Sequence, residues 1–270
     1  MLPIQLAALL ALTCVALFAV TGRLRFLADE FADRRKRGLA GLLLVGILAA
    51  VVFYPAVSSQ QAATIDPTLL WFPELFLGHA LLVAFLLGWW GLRADQPLSR
   101  LLHLEPLLAA DVWRGLWLGS VGWVATILVT MLVGQLLGTV GALPAEPEIP
   151  PLMFWIVDLP VWRKLLVIAV AMTVEESFFR GFLQPRVGWL LSSLLFALSH
   201  ASYGMPMLVV SVLVISLVLA WNLQRTGRLL PCIVAHGVFD AIQLLVIMPW
   251  AVHMLEEQSL DPLMILPPPL

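Results

Sequence analysis

Charge is scarce in this chain of 270 residues: Asp, Glu, Lys and Arg make up 12% of it, about half the roughly 25% of an average soluble domain. The 15 Lys and Arg face 17 Asp and Glu, and every basic stretch is short, which excludes a broad basic surface for nucleic acid. Cysteine is nearly absent. Cys14 and Cys232 both lie in apolar runs, so neither a disulfide framework nor a cysteine-based zinc cluster can be assembled, and both read as core thiols. No internal repeat is visible, and the only low-complexity tract is the short Pro267 to Pro269 tail. Apolar sequence, by contrast, reaches 61%, and the chain reads as a polytopic membrane protein.

Apolar segments of membrane-crossing length, about 17 to 25 residues, start with Leu2 to Gly22. They continue as Leu39 to Val57, Leu69 to Leu92, Val112 to Leu143, Leu165 to Leu183, Val187 to Tyr203, Met205 to Leu223 and Pro231 to Trp250. The expected fold is an all-α, polytopic transmembrane bundle of about eight spans. The first segment has no Lys or Arg before it and is longer than a signal-peptide core, so it reads as a retained span. Turn residues separate the spans at Asp66 with Pro67, at Pro144, Pro147, Pro150 and Pro151, at Gln184 with Pro185, and at Thr226 with Gly227. Residues 23–37 mix six basic residues and three acidic ones with Leu24, Phe26, Leu27 and Phe31, the pattern of a basic amphipathic helix lying at the lipid headgroups. Trp71, Trp89, Trp90, Trp113 and Trp250 fall near span ends, as in an aromatic belt.

Cytoplasmic loops are enriched in Lys and Arg. Basic residues fall at 23–37, at Arg93 and Arg100, at Arg186, and at Arg225 and Arg228, which alternate to one side, whereas the loops after Val57 and Tyr203 and the tail have none. Arg163 and Lys164 alone run against the pattern. Both termini are therefore expected outside the cytoplasm, in a multi-pass protein of the cell (inner) membrane.

An ionisable residue inside a span costs about 2.5 to 3.5 kcal/mol on insertion scales and so invites a functional reading. The fifth span holds Glu175, Glu176 and Arg180. At about 100° per residue, Glu176 and Arg180 share a face in the favourable acid-before-base order, and Glu175 projects elsewhere. Glu175 is thereby left free, and a carboxylate in a poorly hydrated cavity suits removal of a proton from water. The sixth span carries Phe196 and His200 four apart, and the eighth carries His236 and Asp240 four apart. Three such constellations in otherwise apolar spans are hard to explain by packing. Counted from the basic loops they lie roughly 9 to 20 Å deep at 1.5 Å per residue, which favours a site in the cytoplasmic half. Glu74 and His79 in the third span, five apart and on different faces, read as structural or interfacial. Gly115 with Gly119, and Gly134 with Gly138, are spacings that permit close helix packing. His103 falls in a loop and His253 near the tail.

Glu175-Glu176-x-x-x-Arg180, then Phe196-x-x-x-His200, then His236-x-x-x-Asp240, on separate spans and in that order, resembles the motif set of the CPBP (Abi) intramembrane proteases, which include the type II CAAX prenyl endopeptidases. The lead-in Arg225 to His236 is similar as well. The resemblance covers about 164–250, taken as the protease core, and leaves 1–163 as N-terminal spans. It implies an active site built from the C-terminal spans. In it Glu175 activates water, His200 helps hold that water, and His236 with the residue at 240 stabilises the oxyanion, while Glu176, Arg180 and Phe196 are supporting. The family often has Asn where this chain has Asp240, and an ionised Asp cannot donate to an oxyanion; Asp240 must be protonated, orient His236, or ligate a metal. Glu175, His200, His236 and Asp240 could hold zinc with a position left for water. No His-Glu-x-x-His pair is present, so a metal-free, cofactor-free mechanism is preferred.

The expected activity is hydrolysis of a peptide bond at or within the membrane, with lipid and a peptide or membrane-protein substrate as partners. CAAX-type processing, bacteriocin or leader-peptide maturation, immunity and membrane-protein processing all fit. A proton-linked transporter is the competing class, but no broken helices recur in two inverted halves. An inactive scaffold of the same fold would be expected to have lost a motif residue.

Overall fold

The fold is that of a computed structural model, which describes residues 3–58, 66, 69–141 and 150–260, with side chains to residue 254. The turns expected at Pro67, Pro144 and Pro147 and the tail at Pro267 to Pro269 lie outside the described residues. In chain order the helices are α1 (Pro3–Val20), α2 (Arg25–Glu30), α3 (Arg34–Val57), α4 (Phe72–Arg93), α5 (Ala109–Thr139) and α6 (Pro151–Asp158). Then comes α7, α-helical over Val161–Glu176, π-helical over Ser177–Leu183 and α-helical again over Gln184–Val187. The last three are α8 (Trp189–Ser199), α9 (Pro206–Thr226) and α10 (Leu230–Met254).

Among the described residues six helices, α1, α3, α4, α5, α9 and α10, are long and apolar enough to cross a membrane, so the expected count of about eight is approximate. The expected fifth and sixth spans are helical but differ. Arg163, Lys164, Glu175, Glu176 and Arg180 make α7 too charged, and α8 has 11 residues, about 16 Å at 1.5 Å per residue against a core of about 30 Å. The segment 23–37 is not one amphipathic helix. Only α2 forms, with Leu27 and Phe31 buried against the bundle instead of facing lipid. Asp33 then starts α3 by accepting from the backbone N–H groups of Arg35 and Lys36, which hold its carboxyl below the ordinary range.

Two buried clusters make the core. One joins α1, α2, α3 and α4 to the π-helical part of α7 and to α8, and the other joins α5, α9 and α10. Glycine decides the second. A Cβ on Gly119 would stand 2.6 Å from the Ala235 carbonyl oxygen, and one on Gly115 would stand 2.4 Å from the Val234 side chain, so α5 and α10 approach backbone to backbone. Around Gly134 and Gly138 there is room, and that pair does not mediate a close crossing.

The basic loops gather at one end. Glu30 takes Arg186 at 2.8 Å, Arg93 at 3.2 Å and the Trp89 indole N–H at 3.0 Å. Trp89 is therefore fully buried and is no part of an aromatic belt, whereas Trp71, Trp90, Trp113 and Trp250 are exposed. At the same end Arg23 donates to the Val187 carbonyl, and Arg228 pairs with Asp111 while bonding the Pro106 carbonyl.

Candidate functional site

Glu175 and Glu176 close the α-helical part of α7, and the widened π-helical turn that follows is buried at every residue. Such turns are frequent at functional sites. Inside it Arg180 is fully buried and lies 3.3 Å from Glu176, as their spacing predicts. The guanidinium also donates to the Ser216 hydroxyl at 2.9 Å and packs 4.3 Å above the Phe196 ring. Phe196 in turn carries His200 on the same helix, ring centroids 4.7 Å apart, and meets His236 edge-on at 5.9 Å.

His236 is held from both sides. Its Nδ1 lies 2.9 Å from Glu176 Oε1 and its Nε2 lies 3.3 Å from Asp240 Oδ2. His200 Nδ1 lies 3.0 Å from the Phe196 carbonyl, which fixes Nδ1 as the donor and, in the neutral ring, leaves Nε2 as an acceptor. Both Nε2 atoms face Glu175 Oε2, at 3.8 Å and 4.0 Å. Those gaps exceed a direct hydrogen bond but match the span of one bridging oxygen atom. Oε2 itself is buried without a hydrogen-bond partner among the described residues.

Glu175 is not free, however. Its Oε1 lies 3.1 Å from Nε2 of His79, which reaches in from α4. On spacing alone His79 stands apart, because Glu74, five residues before it, lies on a different helix face. Its true partner is 96 residues away, and the signal that could have found it is its own presence as an ionisable group in an apolar span. Glu74 is exposed in the opening turn of α4 and takes no part.

These groups line a cavity of about 190 Å³ whose other walls include Leu75 and Phe76, Met153 and Ile156 of α6, Ala171 of α7, Tyr203, Ile215 of α9 and Met248. The cavity extends away from Arg93, Arg186 and Arg228, toward the opening turn of α4, α6 and the turn at Ala201–Tyr203. The depths counted from the basic loops spread because the turn after α7 is partly sunk: Gln184 and Val187 are buried while Pro185 is exposed, and the turn is completed by Gly188 at φ +92°, where L side chains are strained. Sinking that turn brings Glu175, His200 and His236 to one level.

Zinc would have to bind to these same atoms. Among the described residues no group of three or more His, Cys, Asp and Glu side chains could hold a metal ion. Both nitrogens of His236 already face carboxylates, whereas a zinc ligand would have to present one to the metal at about 2.0 to 2.1 Å. The remaining sequence candidates serve structure: Cys232 is buried and accepts from Asn222, Cys14 is half-buried, and both are free.

Residues 157–242 match the family model described as type II CAAX prenyl endopeptidase Rce1-like. The matched segment holds Glu175, Glu176, Arg180, Phe196, His200, His236 and Asp240, the residues that carried the resemblance, but not His79. No curated protein and no solved structure matches the chain.

Proposed function

We propose, on the premise that this chain carries the Rce1-like domain of a CAAX-type membrane endopeptidase, that Glu175 is its general base and that no metal takes part. The observation that carries this reading is the unoccupied carboxylate oxygen Oε2, set between two imidazole nitrogens on the cavity wall. Water held by Glu175 Oε2 and His200 Nε2 gives a proton to Glu175 as its oxygen bonds to the scissile carbonyl carbon. The carbonyl π electrons move onto oxygen, and His236, doubly protonated between Glu176 and Asp240, shares its Nε2–H between Asp240 and that oxyanion while Nδ1–H stays on Glu176. Collapse breaks the C–N bond, and Glu175 returns its proton to the departing amine. Asp240 orients His236 from one side and Glu176 from the other, which removes the need for an Asp hydrogen-bond donor.

The cavity favours an extended peptide with apolar side chains beside the cleaved bond, presented by a membrane anchor. With the basic loops cytoplasmic, the termini and the cavity lie toward the other side, and the cleavable segment enters from there. The test is turnover of a quenched farnesylated CAAX peptide by the detergent-purified protein. Glu175→Gln keeps the size and removes the base, so kcat should fall about 10²- to 10⁴-fold with the melting temperature held. A Gln variant that keeps more than a tenth of wild-type turnover sinks the assignment.

A further inference from the structure

We infer that His79 is a positioning residue of the hydrolytic site, and that the active centre is completed by a helix outside the matched segment. The inference rests on the proposed role of Glu175 and extends it. A glutamate carboxylate turns easily about its last side-chain bond, because that torsion is broad and two-fold. Something must therefore decide which oxygen faces the water. For Glu176 the decision is made by Arg180 and His236 together. For Glu175 the hydrogen bond within normal distance among the described residues is the one from His79 to Oε1.

The consequences follow from geometry. With Oε1 engaged by His79 at 3.1 Å, Oε2 is turned toward His200 and His236, where the bridging position lies. His79 itself does not reach that position through Oε2, so it acts through Glu175 and not on substrate. Its placement is built in: the opening turn of α4 ends at Phe76, whose ring lies 6.1 Å from the imidazole, and both line the cavity. A side chain that orients a reacting group in this way contributes to kcat more than to substrate affinity.

The experiment compares wild type, His79→Ala, His79→Gln and Glu175→Gln in the full chain, using the farnesylated reporter and thermal stability. His79→Ala should lower kcat about 10- to 100-fold, as loss of an orienting partner does, with KM within about twofold. His79→Gln keeps an N–H donor and should recover at least a third of the lost activity on a logarithmic scale. Full kcat in His79→Ala, with Glu175→Gln inactive, overturns the positioning role and leaves the base in place. Turnover by Glu175→Gln overturns the base instead. Equal losses in the Ala and Gln variants, in step with melting temperature, reduce His79 to a structural residue and also overturn the inference. The contact is read without turnover by a double-mutant cycle of thermal stability: His79→Ala should cost less in a Glu175→Ala background, and strictly additive losses would refute the pairing.

Discussion

Replacing Glu176 by Ala takes one carboxylate from Arg180 and His236 at once. Glu176 is fully buried, 3.3 Å from Arg180 and 2.9 Å from His236, and Arg180 is equally buried. Breaking a buried pair by deleting one partner costs about 3 to 5 kcal/mol, because the other charge is left uncompensated. Arg180 keeps its bonds to Ser216 and its place over Phe196, so the lower part of that range is the better expectation. At roughly 2 to 4 °C per kcal/mol for a chain of this size, the melting temperature should drop by about 6 to 12 °C. Glu175→Ala loses one hydrogen bond, worth about 1 kcal/mol, and should drop it by only about 2 to 4 °C. The assay is size-exclusion of detergent-purified variants after heating. Arg180→Leu added to Glu176→Ala removes the stranded charge and should return part of the loss. If the double variant melts no higher than the single one, the two residues are not coupled and the energetic argument fails.

Asp240→Asn supplies an amide that can still accept from His236 and can donate to an oxyanion, so turnover should be kept or raised, with no zinc in the purified protein. Zinc in wild type that is lost together with activity in Asp240→Asn would establish the metal mechanism. In a background lacking Cys14 and Cys232, single cysteines at Arg35, Asp95 and Arg225 should react with an impermeant maleimide from the cytoplasmic side, and those at Trp71 and Trp162 from the other. Labelling of positions 35 and 71 from one side contradicts the topology.

Helical spans and the Glu176–Arg180 pair were legible because both depend on local periodicity: apolar runs report membrane crossing, and a four-residue spacing reports a shared face. The ordered motifs likewise brought Glu175, His200 and His236 to one site. What escaped depends on long-range placement. The half-sunk turn at Gln184 to Gly188, with Gln184 and Val187 buried and Pro185 exposed, looks in sequence like any basic loop, because Arg186 pairs with Glu30, 156 residues earlier. Trp89 sits near a span end yet is buried for the same reason. His79 escaped because its partner lies on another helix, which no single-helix spacing can reveal. The length of α8 escaped because the stretch read as the sixth span, 187–203, takes in Gly188 before the helix and the separate 3-10 turn Ala201–Tyr203 after it.

The backbone approach of α5 to α10, the Arg228–Asp111 pair and the Arg186–Glu30 pair all cross the edge of the matched segment. A shortened gene encoding 157–242 alone would leave two guanidinium groups without their carboxylates, and a helix surface shaped to meet glycine would face lipid. Its product would hold the motif residues but lack the neighbours that fix their spacing. The stretch that matches the family model is thus smaller than the set of helices whose contacts hold the motif residues in place. Minimal versions, fusions and chimaeras of this protein should be cut outside α1 and α10, not at the borders of similarity.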